Sequence, residues 1–182
     1  MRIACSLGSL LSVEEVLHCS KSLSDSKIDS IWIPETWGME NFSTMSAVAS
    51  NTDSQKIGSS IINIYSRSPS TIAMGAATVD ILSNGRLILG LGTSSMPIVE
   101  DFHGDKFSNP VQRMKEYVEI IRLALSKKQI NYSGKVFQLN LSNQVNKCYG
   151  ILQQIWRRFL LCFLLFQVGK TTKCRFDFKH QK

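Results

Sequence analysis

Three predicted strands end in short runs of polar residues and glycine. PETWG places Glu35 and Trp37 directly after the second strand, SIINIYSR places Asn63 and Tyr65 after the third, and GLGTSS follows the fourth. Carboxylates can exchange protons, while amide, hydroxyl and backbone N–H groups can hydrogen-bond a ligand. The carboxyl ends of parallel strands meet at one edge of an α/β barrel, where such folds keep their chemistry. The spacing therefore predicts a ligand site at that edge.

Two titratable side chains are candidates for proton transfer. Glu35 is the candidate acid or base after the second strand, because the hydroxyl of its neighbour Thr36 is a poor general acid. His103, in EDFHG, is the second candidate, since an unperturbed imidazole titrates near neutrality. Local pairing of Glu35 and loop packing of His103 are the structural alternatives. Glu100, Asp101 and His103 do not have the spacing of a standard ligand set, so no metal site is predicted.

The glycine-rich loop after the fourth strand suits close approach to a ligand. Its glycines allow the backbone near a ligand, and Thr93 and Ser94 offer hydroxyl and N–H groups. The loop is not a dinucleotide-binding fingerprint, because Ser95 stands where the third glycine belongs. A second glycine motif, VGKTT at 168–172, is not a P-loop, because Leu164 occupies the position of the required first glycine.

Strands and helices that would position these residues alternate along the chain. Predicted strands cover Arg2–Gly8, Ser30–Pro34, Lys56–Ile64 and Arg86–Leu91, and helices begin after Ser12, near Phe42, at Pro69 and at Pro110. The near-continuous apolar third strand is typical of a parallel sheet covered on both faces. Four consecutive βα units predict an α/β fold, the N-terminal half of a TIM (β/α)₈ barrel. A doubly wound open sheet is the alternative.

Length and charge divide the chain into two parts. Its 182 residues are enough for one domain but short of the roughly 250 of a complete barrel. Residues 1–140 carry 13 basic and 13 acidic side chains, whereas residues 141–182 carry 8 basic and 1 acidic. The main domain, 1–140, is therefore neutral, and neither a nucleic-acid nor a membrane partner is predicted for it.

The second part, 141–182, lacks the βα rhythm. We interpret this basic and apolar tail as the product of a shifted reading frame or a truncated gene. A genuine alternative C-terminus is one alternative, and a membrane-surface anchor through Phe159–Val168 is another. The five cysteines have no CxxC spacing. The chain starts with a predicted strand where a signal peptide would lie. Both observations predict a cytoplasmic protein.

Taken in order, PETWGMENFS, SIINIYSRSP and NGRLILGLGTSS resemble the bacterial luciferase-like superfamily over about residues 1–139. Members are flavin- or deazaflavin-dependent oxidoreductases, and their organic reactivity belongs to the cofactor. The resemblance implies coenzyme F420 or FMN as cofactor and hydride transfer or monooxygenation of a small-molecule substrate. Half a barrel would leave the first and fourth strands unpaired at the sheet edges, so we expect the chain to self-associate as a homo-oligomer. The competing interpretation is a non-catalytic fragment or interaction module without a cofactor.

The resemblance also implies roles for individual residues. The peptide bond Ser60–Ile61 would be a cis bond behind the cofactor ring, and Trp37 and Tyr65 would line the substrate pocket. Glu116 matches a frequent family glutamate with a structural role. Thr36 and Ser95 are departures from the histidine and glutamate of many relatives. The implied cofactor-binding residues are Ser60, Ile61, Asn63, Gly92, Thr93 and Ser94.

Overall fold

The computed structural model describes residues 2–8, 10–126 and 130–141, together with the backbone of residues 160–163. The strands are β1 (Ala4–Ser6), β2 (Ser30–Ile33), β3 (Lys56–Ser59), β4 (Ile62–Asn63), β5 (Leu87–Gly92), β6 (Asn131–Ser133), β7 (Gln138–Asn140) and β8 (Leu160–Phe163). The α-helices are α1 (Val13–Ser24), α2 (Asn41–Ser50), α3 (Pro69–Leu82) and α4 (Pro110–Leu125), and a short π-helical turn covers Ile98–Phe102.

All strands of the main sheet run parallel. β2 lies between β1 and β3, and β5 pairs with both β3 and β4, the two parts of the predicted third strand. Helices α1, α2 and α3 connect successive strands, so the chain repeats the βα unit from β1 to α4. The predicted parallel α/β architecture is confirmed, and the parallel pairing of β1 with β2 excludes an antiparallel hairpin there.

Helix boundaries follow local chemistry that is visible in the sequence. Ser12 caps α1, and Glu15 completes a capping box by accepting a hydrogen bond from the Ser12 backbone N–H. Ser68 caps α3, whose first turn holds Pro69, a residue that fits there because its missing N–H would have no partner. The observed starts of α1 and α3 therefore agree with the predicted starts after Ser12 and at Pro69.

The two faces of the sheet differ. On the helix-covered face, Ile31, Ile57 and Leu89 are fully buried. On the other face, the register aligns Ser6, Trp32 and Gly58. The Trp32 ring lies over Gly58 so closely that a Cβ there would meet a ring carbon at 2.5 Å. Ser6 is exposed and Trp32 is half-buried, so this second face is less covered than the first.

One expectation about the sheet edges is wrong. The fourth strand does not have the free edge that half a barrel would leave, because β5 pairs in parallel with β8, from Ile88 opposite Leu160 to Leu91 opposite Phe163. The absence of βα rhythm concealed this strand, because parallel pairing depends on distant partners. The remainder of the apolar stretch Phe159–Val168 lies outside the described residues. The domain boundary near residue 140 stays a prediction.

A β-hairpin, β6–β7, packs on α4 through Glu116. The buried Glu116 carboxylate accepts hydrogen bonds from the backbone N–H groups of Lys135, Val136 and Phe137 and from the Gln112 side chain. Glu116 thus has the structural role that the resemblance implies.

Within the described residues, no helix is long and apolar enough to cross a membrane.

Candidate functional site

The carboxyl ends of β2, β4 and β5 lie at one edge of the sheet. Ile33 pairs with Ser59, and Asn63 pairs with Gly92, so the segments that follow these strands leave the sheet side by side. Glu35 comes two residues after β2, and Thr93 directly follows β5. The predicted ligand site is therefore assembled from three consecutive βα units. We call this edge the strand-end edge.

The third predicted strand is interrupted where the resemblance implies. The Ser60–Ile61 peptide bond is cis and separates β3 from β4. On one side of it, the Ser59 hydroxyl donates to the Gly90 carbonyl at 2.9 Å and accepts from the Gly90 N–H at 2.8 Å. On the other side, the Ile61 side chain occupies the space where a Cβ of Gly92 would lie. The bulge is thus packed directly against β5.

Asn63 carries an unused hydrogen-bond donor. The residue is 3% exposed, and its Oδ1 accepts from the Tyr65 N–H at 2.9 Å. Its Nδ2 is buried without a partner in the part of the chain that the structure describes, as is Oδ1 of Asn41. Most buried polar atoms are hydrogen-bonded, so an exception needs an explanation, such as a bound ligand or an ordered water.

The loop after β5 combines a buried and an accessible residue. Thr93 is buried, whereas Ser94 is half-buried and adopts a left-handed backbone with φ of 59°. A non-glycine residue in that region is uncommon and worth attention at a candidate site. The Gly92 carbonyl accepts a hydrogen bond from the Ile64 N–H at 3.0 Å, which ties this loop to the end of β4.

Glu35 lies at the centre of a polar network. Arg67 Nη2 donates to Glu35 Oε1 at 2.6 Å, and Arg67 Nη1 donates to Oε2 at 2.9 Å. The same guanidinium pairs with Glu40 at 2.6 Å. The role of Arg67 is not predicted by any local sequence pattern, although a carboxylate close to buried strands generally requires a cationic partner. The need of Glu35 for a cationic partner is thus the feature of the sequence that points to Arg67.

Electrostatics within this network favour the charged forms. Hydrogen bonding to Glu35 raises the pKa of the Arg67 guanidinium, against the opposing effect of burial. For Glu40, burial raises the pKa, but hydrogen bonds from the N–H groups of Ser43 and Phe42 and the charge of Arg67 outweigh it, so the pKa is lowered. Glu40 also caps α2 through those two N–H groups.

Trp37 and His103 are brought together through Phe102. The Trp37 and Phe102 rings meet edge to face with centroids 5.5 Å apart, and Phe102 meets the His103 ring at 5.0 Å. Trp37 and Phe102 are 59% and 54% exposed. Phe102 could not be identified from the sequence, because the π-helical turn that presents it has no distinctive sequence pattern. This exposed aromatic group joins the loop after β2 to the segment after β5.

Tyr65 is packed into the core. It is 5% exposed, its hydroxyl donates to the Ser108 carbonyl at 2.8 Å, and the Arg113 guanidinium lies 4.3 Å from its ring centroid. Burial raises the pKa of the Tyr65 hydroxyl above its ordinary value. This placement favours a packing role, and contact between Tyr65 and a substrate stays a prediction.

Comparison with known sequences identifies the family of this chain. The profile of the luciferase-like monooxygenases matches residues 2–150. A putative coenzyme F420-dependent oxidoreductase of Mycobacterium tuberculosis is 33% identical over 121 residues, covering 66% of this chain and 35% of that protein. A 5,10-methylenetetrahydromethanopterin reductase of Archaeoglobus fulgidus is 32% identical over 127 residues, covering 69% and 38%.

Solved structures agree on the fold. The FMN complex of a type II Baeyer–Villiger monooxygenase of Pseudomonas putida superimposes with a TM-score of 0.75 at 14% identity, covering 91% of this chain and 51% of that one. The chain spans little more than a third of the length of the two sequence relatives and about half of this structure. The structural neighbours are TIM-barrel enzymes, so the described sheet is part of such a barrel. The chain belongs to the luciferase-like monooxygenase family.

Proposed function

We propose that the strand-end edge binds the ring of a deazaflavin or flavin, coenzyme F420 or FMN, in a luciferase-like oxidoreductase. The observation that carries the proposal is the pairing of Asn63 with Gly92, which brings the unsatisfied Asn63 amide beside the loop Gly92–Ser94. The related proteins include one named as F420-dependent and one solved with FMN, which supports this cofactor class.

The proposed cofactor contacts come from two segments. Ser60, Ile61 and Asn63 would hold the ring from the third strand, and Gly92, Thr93 and Ser94 from the loop after β5. An unpaired buried N–H and a backbone that allows close approach suit the polar edge of such a ring. When bound, the cofactor supplies hydride transfer or, as a flavin with O₂, oxygenation.

The remaining proposed roles concern the substrate. Trp37 and Tyr65 are proposed to line the pocket for a small molecule, and the exposed aromatic group around Phe102 supports that role for Trp37. His103 and Glu35 are the proposed proton-transfer groups. The exposed imidazole of His103 is the more available of the two, since both oxygens of Glu35 are engaged. We also propose that the protein is cytoplasmic and that it forms a homo-oligomer. Light scattering of the purified chain tests the oligomeric state.

Fluorescence titration with coenzyme F420 and with FMN tests the cofactor proposal. The 182-residue chain is compared with a chimaera in which residues 1–141 replace the matching part of the M. tuberculosis relative. Asn63→Ala is expected to weaken binding about 10-fold, the effect of losing one buried hydrogen bond. Asn51→Ala, at the end of α2, is the matched control and should leave the affinity unchanged. Binding of neither cofactor by either protein would contradict the proposal and favour a non-catalytic module.

A further inference from the structure

We propose that Arg67 is a positioning residue for the strand-end edge: it holds the Glu35 carboxylate, which in turn fixes the backbone at Asn63. This inference rests on the proposed cofactor role of Asn63, and it gives Glu35 a positioning task in addition to the proposed proton transfer.

The contact between Arg67 and Glu35 has the geometry of a rigid clamp. Two guanidinium nitrogens meet two carboxylate oxygens, at 2.6 and 2.9 Å, in the bidentate arrangement that gives the greatest directional specificity. The Arg67 and Glu35 side chains are only 16% and 11% exposed, so water screens this pair less than a surface pair. A lysine could not reproduce this contact, because an ammonium lacks the planar fork.

The Glu35 carboxylate passes this constraint to two backbone positions. Oε1 also accepts from the Asn41 N–H at 3.1 Å, and Oε2 accepts from the Asn63 N–H at 3.4 Å. One carboxylate therefore joins the loop after β2, the first turn of α2 and the last residue of β4. With both oxygens engaged in this way, the Glu35 carboxylate can hold these three segments together.

Arg67 is itself anchored on the core. Its backbone carbonyl accepts a hydrogen bond from the hydroxyl of the fully buried Tyr117 on α4. Its guanidinium lies 5.5 Å from the Phe42 ring centroid and also pairs with Glu40, the cap of α2. Through Arg67 and Glu35, the Asn63 backbone is thus held in a fixed position relative to α2 and α4.

Hydrogen exchange followed by mass spectrometry tests this inference without any cofactor. Arg67→Met is expected to increase exchange about 10-fold in the segment 60–66, because Glu35 loses its partner and releases the Asn63 N–H. Arg86→Met is the matched control: Arg86 also makes several hydrogen bonds, but before β5, at the opposite end of the sheet. Unchanged exchange in 60–66, or an equal increase in both variants, would overturn the inference.

A second variant covers the case in which Arg67→Met does not fold. Glu35→Gln keeps the size of the side chain and removes its charge, and it is expected to increase exchange in the same segment by a smaller factor. Equal exchange in Glu35→Gln and the unmodified chain would then overturn the inference.

Cofactor titration of the same proteins separates this inference from the proposed function. If the unmodified chain and the chimaera bind neither coenzyme F420 nor FMN, the proposed function fails, while the exchange experiment still decides the positioning role. If they bind, Arg67→Met should weaken binding about 10-fold and should add little to Asn63→Ala, because coupled residues are not additive. Full additivity of the two variants would overturn the inference.

Discussion

Replacing Glu116 with glutamine is expected to lower the free energy of unfolding by about 2–4 kcal/mol, because buried donors lose a charged acceptor. Oε1 of Glu116 accepts from Gln112 and Lys135, and Oε2 accepts from Val136 and Phe137. A glutamine offers an NH₂ group to two of these donors. Denaturant unfolding measures the loss, and Glu119→Gln is the matched control on the exposed face of α4.

The contribution of Glu116 to the free energy of unfolding should depend on pH. Burial raises the pKa of its carboxyl, but the hydrogen bonds from Gln112 and from the hairpin backbone outweigh burial and lower the pKa below its usual 4.5. A lowered folded-state pKa stabilises the protein at pH values above 4.5, and this contribution is lost as the pH falls through the folded pKa. The difference in free energy of unfolding between the unmodified chain and Glu116→Gln should therefore be largest near neutrality and should shrink in acid. A difference that does not vary with pH would contradict this explanation.

Gly90→Ala is expected to destabilise the protein by about 1–3 kcal/mol, the usual cost of overpacking a core. A Cβ at Gly90 would lie 2.1 Å from the backbone oxygen of Ser59, which cannot move without displacing β3 and the adjacent Ser60–Ile61 bulge. Gly38→Ala is the matched control, because in the part of the chain that the structure describes no atom beyond its chain neighbours lies within 4 Å of its Cβ position. Equal unfolding midpoints for the two alanine variants would show that this close approach is not a constraint.

The parts of the fold that the sequence predicts depend on local chemistry. The capping box at Ser12 and Glu15 and the prolines at 69 and 110 place helix starts to within a residue or two. Apolar runs identify the central strands β2, β3 and β5, because most residues of these strands are buried. Knowledge of a family was needed to expect the cis bond between Ser60 and Ile61, because no local pattern encodes it.

The parts that the sequence did not predict depend on distant partners. Arg67 meets Glu35 across 32 residues, and nothing near either residue specifies the other. The Tyr65 ring packs against Arg113 on α4, 48 residues further along the chain, and the pocket role that the resemblance implies for Tyr65 stays a prediction. Strand β8 is added to β5 from beyond the region with βα rhythm. In each case tertiary packing, rather than local preference, decides the environment.

The most direct test of the account is hydrogen exchange, with and without saturating coenzyme F420 or FMN, of the 182-residue chain and of the chimaera that carries its residues 1–141. Binding at the strand-end edge predicts slower exchange in two segments, 60–66 and 92–95, and unchanged exchange in the hairpin β6–β7, which Glu116 holds against α4. Protection confined to other segments, or none with either cofactor, would contradict the claim that this edge is a flavin or deazaflavin site.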